Sequence, residues 1–363
     1  MTDDGANQTA FGARASKTLS RLNDNATVHV MVRAAAAVAL AFAVTAIPIL
    51  LSGKNPLVAY VSLLNGAFGT LGNVTFALNK STPYMLVAIG VALCFRAQLI
   101  NIGGEGQIAV GGILATWVAL NAPSAPAFLL VPMSLLAAAA AGAAWSGIAA
   151  VIRLSRGVHE VLSTLLLNFV GVLFVAEALH GSMGEDGSGF PQSPLLEDNA
   201  LLPMLIPHTN LHMGFLVAIV AALAAHVMLW KTRFGFRLRI LGGSRSAAAY
   251  AGVPFARNIL IVMCLGGAFA GIAGGVEVLG VHFRLIEGFS TGFGFTAVAV
   301  ALLAAANPIA VIPVGLFFGF LQAGALAMQR DVGVPSSLVY VIQGLSIVFV
   351  LCAMGLDKRK PRV

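Results

Sequence analysis

The chain has 363 residues, of which 58% are hydrophobic and only 10% charged, with a mean hydropathy of +0.91. A soluble domain carries roughly 25% charged residues, so a water-facing surface of ordinary polarity is excluded. The formal charge of +7 does not point to nucleic acid either, because the basic residues sit in segments beside apolar runs, as membrane orientation requires.

In chain order, residues 1–29 form a polar tail, too long before the first apolar run for an ordinary secretory leader. Ten apolar runs then read as membrane spans: 31–51, 83–99, 102–121, 127–151, 161–179, 211–230, 258–280, 293–306, 308–327 and 336–354. A helix needs roughly 20 apolar residues to cross a bilayer. The runs 83–99 and 293–306 fall short of that, a mark of broken helices. Segment 57–78, with Asn65, Gly66, Gly69, Gly72 and Asn73, reads as a helix lying along the outer surface. The expected fold is an all-α polytopic membrane protein of about ten transmembrane helices, one domain over residues 30–356 with a basic tail at 357–363.

Placing both termini in the cytoplasm puts seventeen of the twenty-one Lys and Arg residues on the inside, leaving out Lys54, Lys80, Arg284 and Arg330. That excess sets the orientation. The outer loop 180–210 then carries Glu185, Asp186, Glu197 and Asp198 with no basic residue, and the inner loop 231–257 is basic. The three cysteines, Cys94, Cys264 and Cys352, lie in apolar surroundings and imply no disulfide framework.

A weak internal repeat follows the same topology. Gly157-Val-His-Glu-Val-Leu162 opens the fifth span and Gly333-Val-Pro-Ser-Ser-Leu338 precedes the tenth, which runs the opposite way. Glycine-rich turns, Asn101–Gly106 and Gly288–Gly294, precede the third and eighth spans. An inverted repeat of five plus five helices produces such a pattern and places a solute path between the halves.

Several residues carry chemical information. Asn101, Glu105 and Gln107 interrupt apolar spans among three glycines. They make either a pore-lining break or a tight turn whose Glu105 caps the following helix. Asn168 and Glu277 are polar groups deep in spans and hence cavity candidates, with proximity to the outer surface as the alternative for Glu277. Phe293 and Phe295, with Phe289, offer rings that either stack on a base or face lipid. Gly267, Gly271 and Gly275, and likewise Gly315 and Gly319, recur every four residues, the spacing of close helix packing. His208 and His212 have no third ligand beside them, so no metal site is expected. None of the six lysines has a glycine before it and a hydroxyl residue after it, so the phosphate-binding Gly-x-x-x-x-Gly-Lys-Ser/Thr loop is absent. Energy must come from a partner or an ion gradient.

The string Asn101-Ile-Gly-Gly-Glu-Gly-Gln107 resembles the signature of permeases serving branched-chain amino acid, simple-sugar and nucleoside ATP-binding cassette importers. The likeness covers residues 55–354 and includes Asn55-Pro56-Leu57, Thr82-Pro83, Glu160-Val-Leu-Ser-Thr-Leu-Leu-Leu-Asn168 and Gly294-Phe-Thr-Ala-Val-Ala-Val-Ala-Leu-Leu303. Glu277-Val-Leu-Gly280 followed by Gly292-Phe-Gly294 is most similar to the nucleoside branch, whose receptors are basic membrane lipoproteins. The resemblance implies a multi-pass subunit of the bacterial inner membrane that binds no cofactor. It also implies an ATPase partner that hydrolyses the ATP, a periplasmic or lipid-anchored solute receptor, and a second, related permease in a heterodimer. It makes Asn101, Glu105, Gln107, Asn168, Glu277, Phe293 and Phe295 candidates for the path.

Leu241–Val253 resembles that family's coupling segment, a short helix seated in the ATPase, with Gly242, Ser244, Ala247, Ala248, Tyr250 and Gly252 as its carriers. Small residues suit a short helix and Gly252 a C-terminal stop. Ser244-Arg245 stands where the family has Asn-Pro, which leaves the entry turn open; the plain alternative is a basic loop. The rival functions are the same permease carrying sugars or branched-chain amino acids, and an ion-coupled secondary transporter.

Overall fold

The computed structural model describes residues 36–335 and 337–357. The expected tail 1–29 and the basic residues 358–363 lie outside the described residues. Those described form helices α1 (Ala36–Leu51), α2 (Pro56–Phe68), α3 (Leu71–Arg96), α4 (Gly104–Asn121), α5 (Ala127–Arg156), α6 (Glu160–His180), α7 (Gly214–Lys231), α8 (Arg233–Gly243), α9 (Arg245–Tyr250), α10 (Phe255–Glu277), α11 (Phe293–Leu303), α12 (Val311–Val332) and α13 (Ser337–Asp357). Pairing between extended segments is limited to the isolated bridges Gln192–Ile286 and Met204–His212 among the described residues. Among the described residues six helices are long and apolar enough to cross a membrane, and there is a seventh span if α1 and α2 are one interrupted span.

Three expectations are corrected here. The apolar run 83–99 is no short span but the second part of α3, a helix of 26 residues. It carries Asn79, Lys80, Ser81 and Thr82 inside it, and from Ser81 to Cys94 every residue is buried. Those polar groups masked the helix, three of them, Asn79, Ser81 and Thr82, being buried in protein. Segment 57–78 is likewise not one surface helix. It divides at Gly69–Thr70, where the Thr70 hydroxyl accepts from the Asn73 N–H at 3.1 Å and starts α3. The third correction falls on 231–257, where α8 precedes the short helix expected there, which is present as α9.

The chain divides into two compact units. One takes the described parts of Met1–Ala59 and Val332–Val363, with α1 and α13 as its helices. The other, Tyr60–Asp331, holds the elements that concern function. Lipid gives helices no hydrophobic reason to associate, so close backbone packing must supply the attraction. In this unit glycine provides it. A methyl on Gly90 of α3 would stand 2.5 Å from the Gly266 carbonyl of α10, and one on Gly111 of α4 would stand 2.5 Å from Gly271 Cα. Gly267 and Gly271 meet Gly142 and Ala138 of α5, while Gly275 faces Ala138 and Leu135. On α12, Gly315 lies against Met85 and Gly319 against Ser81 of α3. Helix α10 is thus held by backbone contact on three sides.

Gly271 meets backbone of both α4 and α5, so neither neighbour can yield by rotating a side chain. Overpacking of a tight core costs about 1–3 kcal/mol, and Gly271→Val is expected to reach the upper end. Thermal exposure of the buried Cys94 thiol, read with a thiol-reactive dye in detergent, should then begin at clearly lower temperature. An unchanged profile would contradict the packing described.

Candidate functional site

Helix α11 has eleven residues and rises about 16 Å, half of the roughly 30 Å hydrocarbon thickness. The unpaired N–H and C=O groups of such a helix need protein partners, since lipid has none to offer. Both ends find an ion. Glu105, buried in the first turn of α4, takes the N-terminal end. Its Oε1 accepts from the Gly292 N–H at 3.1 Å and the Ser290 hydroxyl at 2.6 Å, and its Oε2 accepts from the Gly294 N–H at 2.8 Å. At the other end Arg96, the last residue of α3, donates through Nε to the Ala306 carbonyl at 2.8 Å and through Nη2 to Ala305 at 3.2 Å. Anion at the N-terminus and cation at the C-terminus is the arrangement that the helix dipole favours. Glu105 therefore caps a helix, but a distant one rather than its own. No side chain longer than hydrogen fits between these helices: a methyl on Gly104 would lie 3.0 Å from Gly294 Cα.

The turn before α4 is held from α6. Glu160, Thr164 and Asn168 are spaced by four and share one face. Glu160 Oε1 accepts from the Ile100 N–H at 3.1 Å, the Thr164 hydroxyl from Ile102 at 3.3 Å, and Asn168 Oδ1 from Gly106 at 2.9 Å. Asn168 Nδ2 donates back to the Ile102 carbonyl at 2.8 Å. Within the turn, Asn101 Oδ1 accepts from the Gly103 N–H at 2.9 Å and from Gln107 Nε2 at 3.1 Å. The free oxygen of Glu160 pairs with Arg153 at the end of α5. Asn101, Glu105, Gln107 and Asn168 thus converge: Asn101, Glu105 and Asn168 fix backbone, while the Gln107 amide holds the Asn101 side chain. Arg96, Arg153, Glu160, Thr164 and Ser290 belong to the same network and were not anticipated. The four-residue spacing of 160, 164 and 168 was the signal available for three of their contacts.

Glu277 and Phe293 make no side-chain hydrogen bond to that turn among the described residues. Glu277 is wholly enclosed, and neither carboxylate oxygen has a hydrogen-bond partner among the described residues. Phe293 is also enclosed, edge-on to Tyr84 with ring centres 5.2 Å apart and 5.7 Å below the Lys80 ammonium. Phe289 is buried against His282, whereas Phe295 is exposed.

At the basic end of the unit, α8 abuts α3 so closely that a methyl on Gly242 would strike the Arg96 carbonyl. Helix α9 then begins at Ser244, whose hydroxyl accepts from the Ala247 N–H at 3.3 Å. It ends in a Schellman turn: Gly252 N–H bonds to Ala249, Val253 N–H to Ala248, and Gly252 has φ +66°. Ala248 faces inward and Tyr250 is 95% exposed, an unusual position for an aromatic ring. Among the described residues no group of three or more His, Cys, Asp or Glu side chains is placed to hold a metal.

The family described as branched-chain amino acid transport system / permease component matches residues 73–351. The chain is 39% identical over 304 residues to a glucose ABC transporter permease of Haloferax volcanii, covering 81% of this chain and 79% of that one. It is 35% identical over 323 residues to the guanosine ABC transporter permease NupP of Bacillus subtilis, covering 86% and 91%. A nucleoside ABC transporter permease of Lactococcus lactis is 29% identical over 335 residues, covering 90% and 92%. The chain belongs to this family of permease components: it is a multi-pass inner-membrane subunit of an ATP-binding cassette transporter. Membership sets aside the ion-coupled carrier.

Hydrogen bonds to a charged group contribute about 1.5–3 kcal/mol each; the buried Glu105 receives three of them, whereas the half-buried Arg96 gives two. Glu105→Gln should therefore destabilise the detergent-solubilised protein more than Arg96→Met. Chemical unfolding followed by α11-specific labelling would check the order; the reverse ranking would contradict the capping scheme.

Proposed function

We propose that this permease imports nucleosides by alternating access, driven by a separate cytoplasmic ATPase and fed by a periplasmic or lipid-anchored receptor. The observation that carries the solute class is the likeness, over most of both chains, to permeases whose names specify guanosine and nucleosides. A second reading, a simple sugar, is favoured by the 39% identity to a glucose permease. The partner subunit is taken as a second, related permease, as the separately named guanosine permeases NupP and NupQ of one organism suggest.

The chain is read as five plus five helices in inverted repeat, with both termini cytoplasmic. Two contacts support the repeat: equivalent helices α3 and α10 meet at Gly90–Gly266, and α4 and α11 touch through their N-termini at Gly104–Gly294. The solute path then runs between the halves. Asn101, Glu105, Gln107 and Asn168 shape it by fixing two helix starts, Glu277 and Phe293 border it where α10 ends and α11 begins, and Phe295 presents an open ring. Helix α9, with Gly242, Ser244, Ala247, Ala248, Tyr250 and Gly252, is the coupling segment. Its support is a capped, glycine-terminated helix with one aromatic ring projecting outward. Because α8 abuts Arg96 and Arg96 holds α11, a push on α9 reaches the helix that borders the path.

Proteoliposomes holding the whole importer and its receptor test the reading directly. Labelled guanosine should accumulate only with ATP hydrolysis; accumulation of glucose alone would transfer the assignment to sugars. Coupling has its own test. Ala248→Glu forces a charge onto the buried side of α9, and Gly252→Pro cannot adopt positive φ. Both should insert normally yet fail to co-purify the ATPase, and wild-type recovery of the ATPase would refute the coupling role.

A further inference from the structure

A lysine inside a membrane helix needs a reason, and Lys80 of α3 has no ion pair among the described residues. Its ammonium lies 5.6 Å from the Phe76 ring centre and 5.7 Å from that of Phe293, partly exposed. The neighbouring Asn79 ties this part of α3 to the segment before α7, its Oδ1 accepting from the His212 N–H at 3.4 Å. His212 is fully buried, with its ring pressed on Gly280, and its Nδ1 accepts from the Gly214 N–H at 3.2 Å. Its Nε2 therefore carries the proton and has no partner among the described residues. Burial, with the Lys80 charge second, pushes His212 down to about 4, so the ring is a neutral donor at physiological pH.

Opposite stands the end of α10. Glu277 is fully enclosed with neither oxygen in a hydrogen bond among the described residues, and His282, one π-turn later, brings Nε2 within ion-pair range, 3.8 Å from Glu277 Oε2. π-turns recur at functional sites, and buried polar groups without partners are costly unless something else satisfies them. Here a buried acceptor and a buried donor go unused beside a partly exposed ammonium.

We propose that Lys80, Glu277, His212 and His282 form a site for the vicinal hydroxyls of a sugar ring, so that the solute is gripped by its sugar rather than by its base. Each hydroxyl both donates and accepts, which matches a set of one carboxylate acceptor with ammonium and imidazole donors. A neutral diol also satisfies opposite charges without adding one. Phe289 and Phe293, the rings a base would stack on, are buried and closed by His282 and by Lys80 with Tyr84. The proposal rests on the reading of the chain as a permease for sugar-bearing solutes.

The test uses the complete importer in proteoliposomes, with labelled guanosine and 2′,3′-dideoxyguanosine at concentrations that saturate the receptor for each. Wild type should carry guanosine about tenfold faster or more, the loss expected when hydrogen bonds to charged groups go unmade. Lys80→Met and Glu277→Gln should cut guanosine uptake toward the dideoxy rate and leave the dideoxy rate nearly unchanged, with ATPase co-purification intact. Equal slowing of both solutes, or no slowing, overturns the diol site while the nucleoside reading stands. If wild type carries neither nucleoside, that reading fails by itself. Labelled glucose then decides the site: uptake lost in both variants upholds it, whereas uptake unaffected, or absent in wild type, overturns it.

Discussion

One carboxylate organises the functional half of the molecule. Glu105 holds the start of α11 through two backbone N–H groups and a serine hydroxyl. Without it, a helix too short to cross a bilayer would end in unpaired amides at membrane depth. Arg96 closes the far end through two carbonyls. Because Arg96 and Glu105 flank the same turn, that turn and α11 move together or not at all. The α6 ladder of Glu160, Thr164 and Asn168 extends the constraint to a third element.

Two kinds of contact therefore divide the unit. Along α10, glycine lets four helices touch by backbone, a dense and inflexible block. Around the 97–106 turn, side chains reach across to satisfy backbone groups, and the interactions are directional, charge-assisted hydrogen bonds. The first kind resists any change of spacing. The second depends on each buried group keeping its partner, and it is this second set that leads by way of Arg96 to Gly242 and the exposed Tyr250.

Hydropathy was enough to locate the long spans, because lipid-facing helices must be apolar whatever they pack against. It failed at α3, whose polar residues Asn79, Ser81 and Thr82 are buried in protein, and at α2, which Gly69 and Thr70 cut off. The stop of α9 was legible because only glycine enters positive φ freely. Its start was not, since a serine N-cap leaves no signature beyond the residue itself. The polarity of Glu105 and Asn168 marked them as important, but the partners lay on other helices, and no local pattern names a partner 189 positions away. Lys80 was read only as a charge to be counted for orientation; its two aromatic neighbours come from α3 and α11.

That separation has a consequence for biosynthesis. The ribosome makes Glu105 long before residues 290–294, so the carboxylate enters the membrane with its acceptor sites unfilled. The early helices must wait in a protected state until α11 arrives, so the 97–106 turn and α11 complete their folding together although they are synthesised far apart. Cutting the chain after α7 would leave an N-terminal fragment with an exposed acid where a helix should begin, a natural target for quality-control proteolysis.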